Sequence, residues 1–82
     1  MNSETYKAVM SGQRDQNIRF ADLCSLLTRL DFQRRIKGDH HIYYKDGITD
    51  IINIQPLGNK AKAYQVKQVR TLIKRYGLTE KE

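Results

Sequence analysis

Two adjacent histidines, His40 and His41, follow the glycine turn Gly38-Asp39 and open a β-rich run, Ile42-Tyr43-Tyr44-Lys45. Histidine is the side chain that ordinarily titrates nearest neutrality, so an imidazole at the start of a strand suits proton transfer without a metal. The charge downstream indicates what that chemistry would act on. From residue 51 to residue 79 there is no acidic side chain, and there are six basic ones: Lys60, Lys62, Lys67, Arg70, Lys74 and Arg75. The remaining residues hold nine basic and nine acidic side chains, so this segment carries the whole net charge of +6. Ordinary solvated surfaces mix both signs, and a one-sign stretch of this length points to a polyanionic partner such as nucleic acid. Lys60 and Lys62 lie on a glycine-containing loop ahead of a helix, where phosphates also meet free helix N–H groups. Lys67, Arg70 and Lys74, spaced by three and then four residues, form one helical stripe. Lys37, just before the turn, is a further candidate for contact with phosphate.

Successive residues of a strand point to opposite faces, so His40 and His41 do not form a same-face acid–base pair in a regular strand. On residue types alone, either is as well explained by packing or solvation as by catalysis. No His-x3-His pair or carboxylate cluster accompanies them, so neither a metal nor a cofactor is expected. Cys24 is the only cysteine. It falls within an apolar helical pattern and reads as a small buried hydrophobe, with a reducing compartment as the simple corollary.

The elements that position these residues follow from periodicity. Residues 1–16 are mostly polar, with Tyr6, Val9 and Met10 isolated, and read as a flexible N-terminal tail. From Ile18, the residues Phe20, Leu23, Leu26, Leu27 and Leu30 recur at helical spacing, with Asp22 in the first turn and Asp31 closing the stripe. Phe32–Lys37 alternates as a strand, and Gly38-Asp39 turns it into a second, His40–Lys45. Asp46-Gly47 leads to a third, Thr49–Gln55, with Ile52 and Ile54 on one face and Asn53 and Gln55 on the other. Pro56 ends that strand, residues 57–63 read as a loop, and Val66, Val69, Leu72, Ile73 and Tyr76 form the stripe of a last helix capped by Gly77. The expectation is one α+β domain over residues 17–78, with residues 79–82 as a C-terminal tail. Its architecture is a two-layer αβββα fold: a three-stranded antiparallel sheet with both helices on one face.

At 82 residues the chain is near the lower limit for a self-sufficient core, so any site is expected to be shallow and its ligand large. No apolar run is long enough to span a membrane and no signal core opens the chain, which reads as cytoplasmic.

Four stretches carry a resemblance to a known family: Ile18-Arg19-Phe20-Ala21-Asp22-Leu23, Gly38-Asp39-His40-His41-Ile42-Tyr43, Ile51-Ile52-Asn53-Ile54-Gln55-Pro56, and the closing run from Lys62 to Arg70. In this order and length the chain resembles the HicA family of bacterial toxins. The resemblance implies a double-stranded-RNA-binding-domain-like fold. It implies the toxin of a type II toxin–antitoxin system, a ribosome-independent endoribonuclease (mRNA interferase) that cleaves mRNA. The family's essential histidine falls on His40, with His41 as second choice because a one-residue shift of the turn exchanges them. A HicB-type antitoxin is the implied partner. Asp39 stands where the family usually has serine, and Asp31 where it commonly has glycine. Two further readings stay open: a non-catalytic RNA-binding module, and a protein-interaction module for an acidic partner.

Overall fold

The computed structural model describes residues 3–80. Eight elements follow one another: α1 (Glu4–Ser11), α2 (Phe20–Arg29), β1 (Gln33–Lys37), β2 (His40–Lys45), β3 (Ile48–Ile54), β4 (Pro56–Leu57), β5 (Lys60–Ala61) and α3 (Ala63–Tyr76). The three long strands form one antiparallel sheet in the order β1-β2-β3. Aromatic and β-branched residues dominate β2 and β3, which suits a pleated, half-buried surface. Gly38, at φ 61°, supplies the positive φ that the two-residue β1–β2 hairpin needs at its first central position.

One face of the sheet is buried. Tyr43, opposite Ile52, and Ile54, opposite His41, are fully covered. They share one core with Leu23, Leu26 and Leu27 of α2 and Val66, Val69, Leu72 and Ile73 of α3. Both helices therefore cover the same face, and the other face stays open. The chain is α+β, with the expected three-stranded antiparallel sheet. The third strand runs from Ile48 to Ile54 rather than from Thr49 to Gln55, and its pairing with β2 shifts register between Tyr43 and Lys45.

Two segments differ from expectation. Half of the N-terminal tail, Glu4–Ser11, is a helix packed into the fold; residues 1 and 2 lie outside the described residues. Ser3 caps α1 by accepting from the Tyr6 N–H, Val9 is fully buried, and the Tyr6 hydroxyl donates to the Leu78 carbonyl. The Arg70 guanidinium holds the end of this helix, donating to the Val9 carbonyl at 3.0 Å and to both Asp15 carboxylate oxygens at 2.8 and 3.1 Å. Gly12 ends α1 in a left-handed conformation (φ 72°), directly over that guanidinium. The second difference is at the 57–63 loop, most of which belongs to a small antiparallel hairpin, β4–β5, that starts at Pro56. It joins the strand-like approach to α2, with the Ala61 N–H donating to the Ile18 carbonyl and the Phe20 N–H to the Asn59 carbonyl.

The expected C-terminal tail is anchored at Glu80, which is 7% exposed, while residues 81 and 82 lie outside the described residues. Its carboxylate accepts from Arg29 Nε and from the Ser3 N–H, tying both ends of the chain to α2. Burial alone would raise the Glu80 pKa, but the hydrogen bonds from Arg29 and Ser3 outweigh it and hold the carboxyl below its usual range. A lowered native pKa contributes stability above the unfolded-state value of about 4.3, and that contribution is lost as pH falls through the native value. Glu80→Gln is expected to lower unfolding free energy by about 1–3 kcal/mol at pH 7. Urea denaturation across pH 3–7 should show the gap between the two proteins closing toward acid.

Candidate active site on the open sheet face

The side chains of β2 sort by parity. His41 and Tyr43 face the helices, whereas His40, Ile42 and Tyr44 face outward. Lys37 and Arg35 join them, because Lys37 pairs with His40 and Arg35 with Ile42 across the hairpin. From β3, Asn53 pairs with Ile42 and completes the outward set.

His40 is held at both ring nitrogens. Its Nδ1 lies 3.1 Å from Asn53 Oδ1, and its Nε2 lies 3.1 Å from Gln55 Nε2. Lys62 Nζ donates to Gln55 Oε1 at 3.3 Å. An ammonium can only donate, so Gln55 presents its oxygen to Lys62 and its NH2 to the imidazole. His40 Nε2 then accepts, and Nδ1–H donates to Asn53. The order Lys62 → Gln55 → His40 → Asn53 fixes the tautomer and leaves the lone pair on Nε2. The His40 side chain is 45% exposed, and an Asp39 carboxylate oxygen lies 3.8 Å from Nε2, too far for a hydrogen bond.

Gln65, on the first turn of α3, supports this arrangement from below. It is 3% exposed, accepts from the Gln55 N–H at 3.1 Å and donates to the Asn53 carbonyl at 3.2 Å. The two residues that hold His40 are thus pinned to α3 through their backbone. Gln65→Leu is expected to leave that N–H and carbonyl unpaired, at a cost of about 1–3 kcal/mol in a urea melt. α3 has Lys62 as its N-cap, without a side-chain cap hydrogen bond, and no acid in its first turn, so its free N–H groups suit an anion.

His41 lies apart. Its ring meets Phe20 edge-on at 4.9 Å between centroids, and its Nδ1 is buried without a hydrogen-bond partner. It lines a groove of about 520 Å³ between α2 and β1, with Phe20, Cys24, Thr28 and Arg34 among the walls. Burial raises the Cys24 thiol against smaller opposing pulls from Tyr43 and Arg34, so Cys24 is held as a thiol and not a thiolate. Burial, then the neighbouring Cys24, likewise pushes the Tyr43 phenol up against the pull of Arg34. The Tyr43 hydroxyl makes no well-aligned hydrogen bond with either neighbour.

The other predicted cations disperse. Lys37 and Lys62 join His40, the latter through Gln55. Lys60 points to Asn17, donating to Oδ1 at 3.1 Å. Lys67 and Lys74 are exposed on α3. Arg70, expected in the stripe with Lys67 and Lys74, is already engaged: its side chain is 14% exposed and committed to Asp15 and Val9. Arg75 pairs with Asp50 at 3.0 Å. An acid-free stretch of sequence is therefore not an unpaired surface, because distant carboxylates fold back onto it.

No family model, curated protein or solved structure matches this chain. Among the described residues, no three His, Cys, Asp or Glu side chains converge as a metal site would require. No helix among them is long and apolar enough to cross a membrane.

Asn53, Gln55 and Gln65 are the site residues that motif reading did not select. Asn53 and Gln55 had a signal: they alternate with the apolar Ile52 and Ile54, which places them on the open face beside the next strand's His40. Gln65 had none, being a polar residue in an otherwise ordinary helix turn.

Proposed function

We propose that this chain is a metal-independent endoribonuclease that cuts mRNA, with His40 as its general acid/base. The observation that carries the reading is the polarised chain Lys62 → Gln55 → His40 → Asn53, which holds a half-exposed imidazole with its Nε2 lone pair toward Gln55, on a residue that pairs with Lys37 across the hairpin. The fuller proposal is the toxin of a HicA/HicB-type system, with a double-stranded-RNA-binding-domain-like fold, working in the cytoplasm and silenced by a HicB-type antitoxin. It is supported by the residue resemblance and by the open, shallow site.

The chemistry uses the substrate's own nucleophile. A ribose 2′-hydroxyl that displaces the Gln55 amide from Nε2 gives its proton to His40. The freed oxygen bonds to the adjacent phosphorus, the bond from phosphorus to O5′ breaks, and a 2′,3′-cyclic phosphate forms. Lys37, Lys62 and the N–H groups of the first α3 turn offset the charge that builds on the phosphorane oxygens. His41 is on the opposite face, so the proton for the departing O5′ comes from water. Protonated His40 then returns its proton to solvent.

A second reading, a non-catalytic RNA-binding module, is favoured by Lys67 and Lys74, which offer charge on α3 independently of His40. The two separate in one assay with wild-type protein, RNA transcripts and EDTA. Cleavage within minutes supports the enzyme, whereas RNA that stays bound and intact for hours leaves only the binding module.

A further inference from the structure

We infer that the open face of the sheet is a platform for unpaired RNA, on which Tyr44 stacks a base while Arg35 and Lys37 hold the phosphates leading to His40. The inference rests on the reading of His40 as the cleavage site and names the substrate form that site takes.

Three cross-strand rungs carry it: Gln33 with Tyr44, Arg35 with Ile42, and Lys37 with His40. The alternating residue Tyr43 is fully buried against the helices, so all three rungs point away from the core. Rungs on one face of a strand recur about every 6.8 Å, a step that the nucleotides of an extended single strand can follow. An aromatic at one end, an aliphatic residue in the middle and an imidazole at the other end then form a single row along β2.

The charge on this face is uncommitted, in contrast to that of the two arginines of α3. Arg35 and Lys37 make no hydrogen bond or ion pair among the described residues, whereas Arg70 and Arg75 are each neutralised by a carboxylate. None of the six rung residues is acidic. Phosphates approaching along β1 therefore meet two uncommitted cations, with the Asp39 carboxylate of the turn, 3.8 Å from His40 Nε2, beyond them.

The aromatic decides between single and double strands. Tyr44 is 37% exposed and lies on the same face as Ile42. A base can stack there only if it is unpaired, since a duplex buries its base faces against each other and presents backbone and groove. A site serving only duplex RNA has use for the cations but none for the ring. A 2′-hydroxyl attack in line with the departing O5′ likewise needs a backbone free to rotate, which a single strand has and an A-form duplex lacks.

The test uses the 82-residue chain carrying His40→Ala, so that RNA stays intact, and fluorescence anisotropy with a labelled single-stranded oligoribonucleotide and the same sequence as a duplex. Tyr44→Ala and Arg35→Gln are added separately, and thermal melts check that each variant is folded. The expected result is single-strand binding about tenfold tighter than duplex binding, lost about tenfold with Tyr44→Ala and restored by Tyr44→Phe. Arg35→Gln should also flatten the log–log salt dependence of single-strand binding by about 0.7. Equal affinity for both forms would overturn the platform. So would Tyr44→Ala and Arg35→Gln variants that bind single strands as the parent does while Lys62→Gln weakens them. Either result leaves wild-type cleavage, and hence the ribonuclease reading, standing, with the face free to dock a protein instead. Failure to bind either RNA, together with wild-type protein that does not cut, would remove both.

Discussion

His40→Ala is expected to reduce RNA cleavage by about 10²- to 10⁴-fold, the usual contribution of a positioned general acid/base, while RNA still binds. His40 is half exposed and sits outside the apolar core, so its truncation leaves the fold intact. The same substitution at His41 should behave in the opposite way. His41 packs on Phe20 with Nδ1 buried on the helix side, so His41→Ala should lower stability and leave the cleavage rate per folded molecule unchanged. Expression of the two variants at equal protein level, with growth and transcript integrity as readouts, separates the roles. Growth arrest that persists in His40→Ala and disappears in His41→Ala would move the chemistry to the α2–β1 groove.

Val9→Asp is expected to cost about 3–5 kcal/mol, because it places a carboxylate with no partner at a fully buried position. In a chain of this size that corresponds to a fall in melting temperature of more than about 10 °C. A surface helix docked loosely on the domain would melt separately and leave the main transition where it was. Here α1 is joined to α3 by Arg70, to the chain's end through Tyr6 and Leu78, and through Ser3 to Glu80, so one cooperative transition should shift as a whole. A two-step melt with an unshifted upper transition would show α1 to be an appendage.

These two positions mark what was legible in the sequence. The sheet, both long helices and their relative placement follow from periodicity: Leu23, Leu26 and Leu27 on one side, Tyr43, Ile52 and Ile54 on the other, and Val66, Val69, Leu72 and Ile73 closing the core. The left-handed residue Asp31 at φ 72° and the Gly77 cap fall where their types suggest. α1 was hidden because an eight-residue helix shows only two turns of pattern, and its anchors, Arg70 and Leu78, are more than sixty residues away. The charge reading missed the partner of Arg70 for a related reason. Local composition says nothing about Asp15, which folds back to neutralise it. The opposite facing of His40 and His41 was legible from strand parity, whereas the amides that orient His40 depend on which strand lies next to β2. Gln65 depends in turn on where α3 begins, and no local pattern specifies that.

The most direct test of the central claim is the chemistry of the cut ends. Wild-type protein, a defined RNA and EDTA are incubated together, and the products are resolved by mass spectrometry. Attack by the substrate's own 2′-hydroxyl, with His40 taking the proton, predicts fragments ending in a 2′,3′-cyclic phosphate and beginning with a 5′-hydroxyl. A single 2′-deoxy substitution at the cut site should abolish that product. Fragments with a 3′-hydroxyl and a 5′-phosphate, or cleavage that survives the 2′-deoxy substitution, would contradict the account.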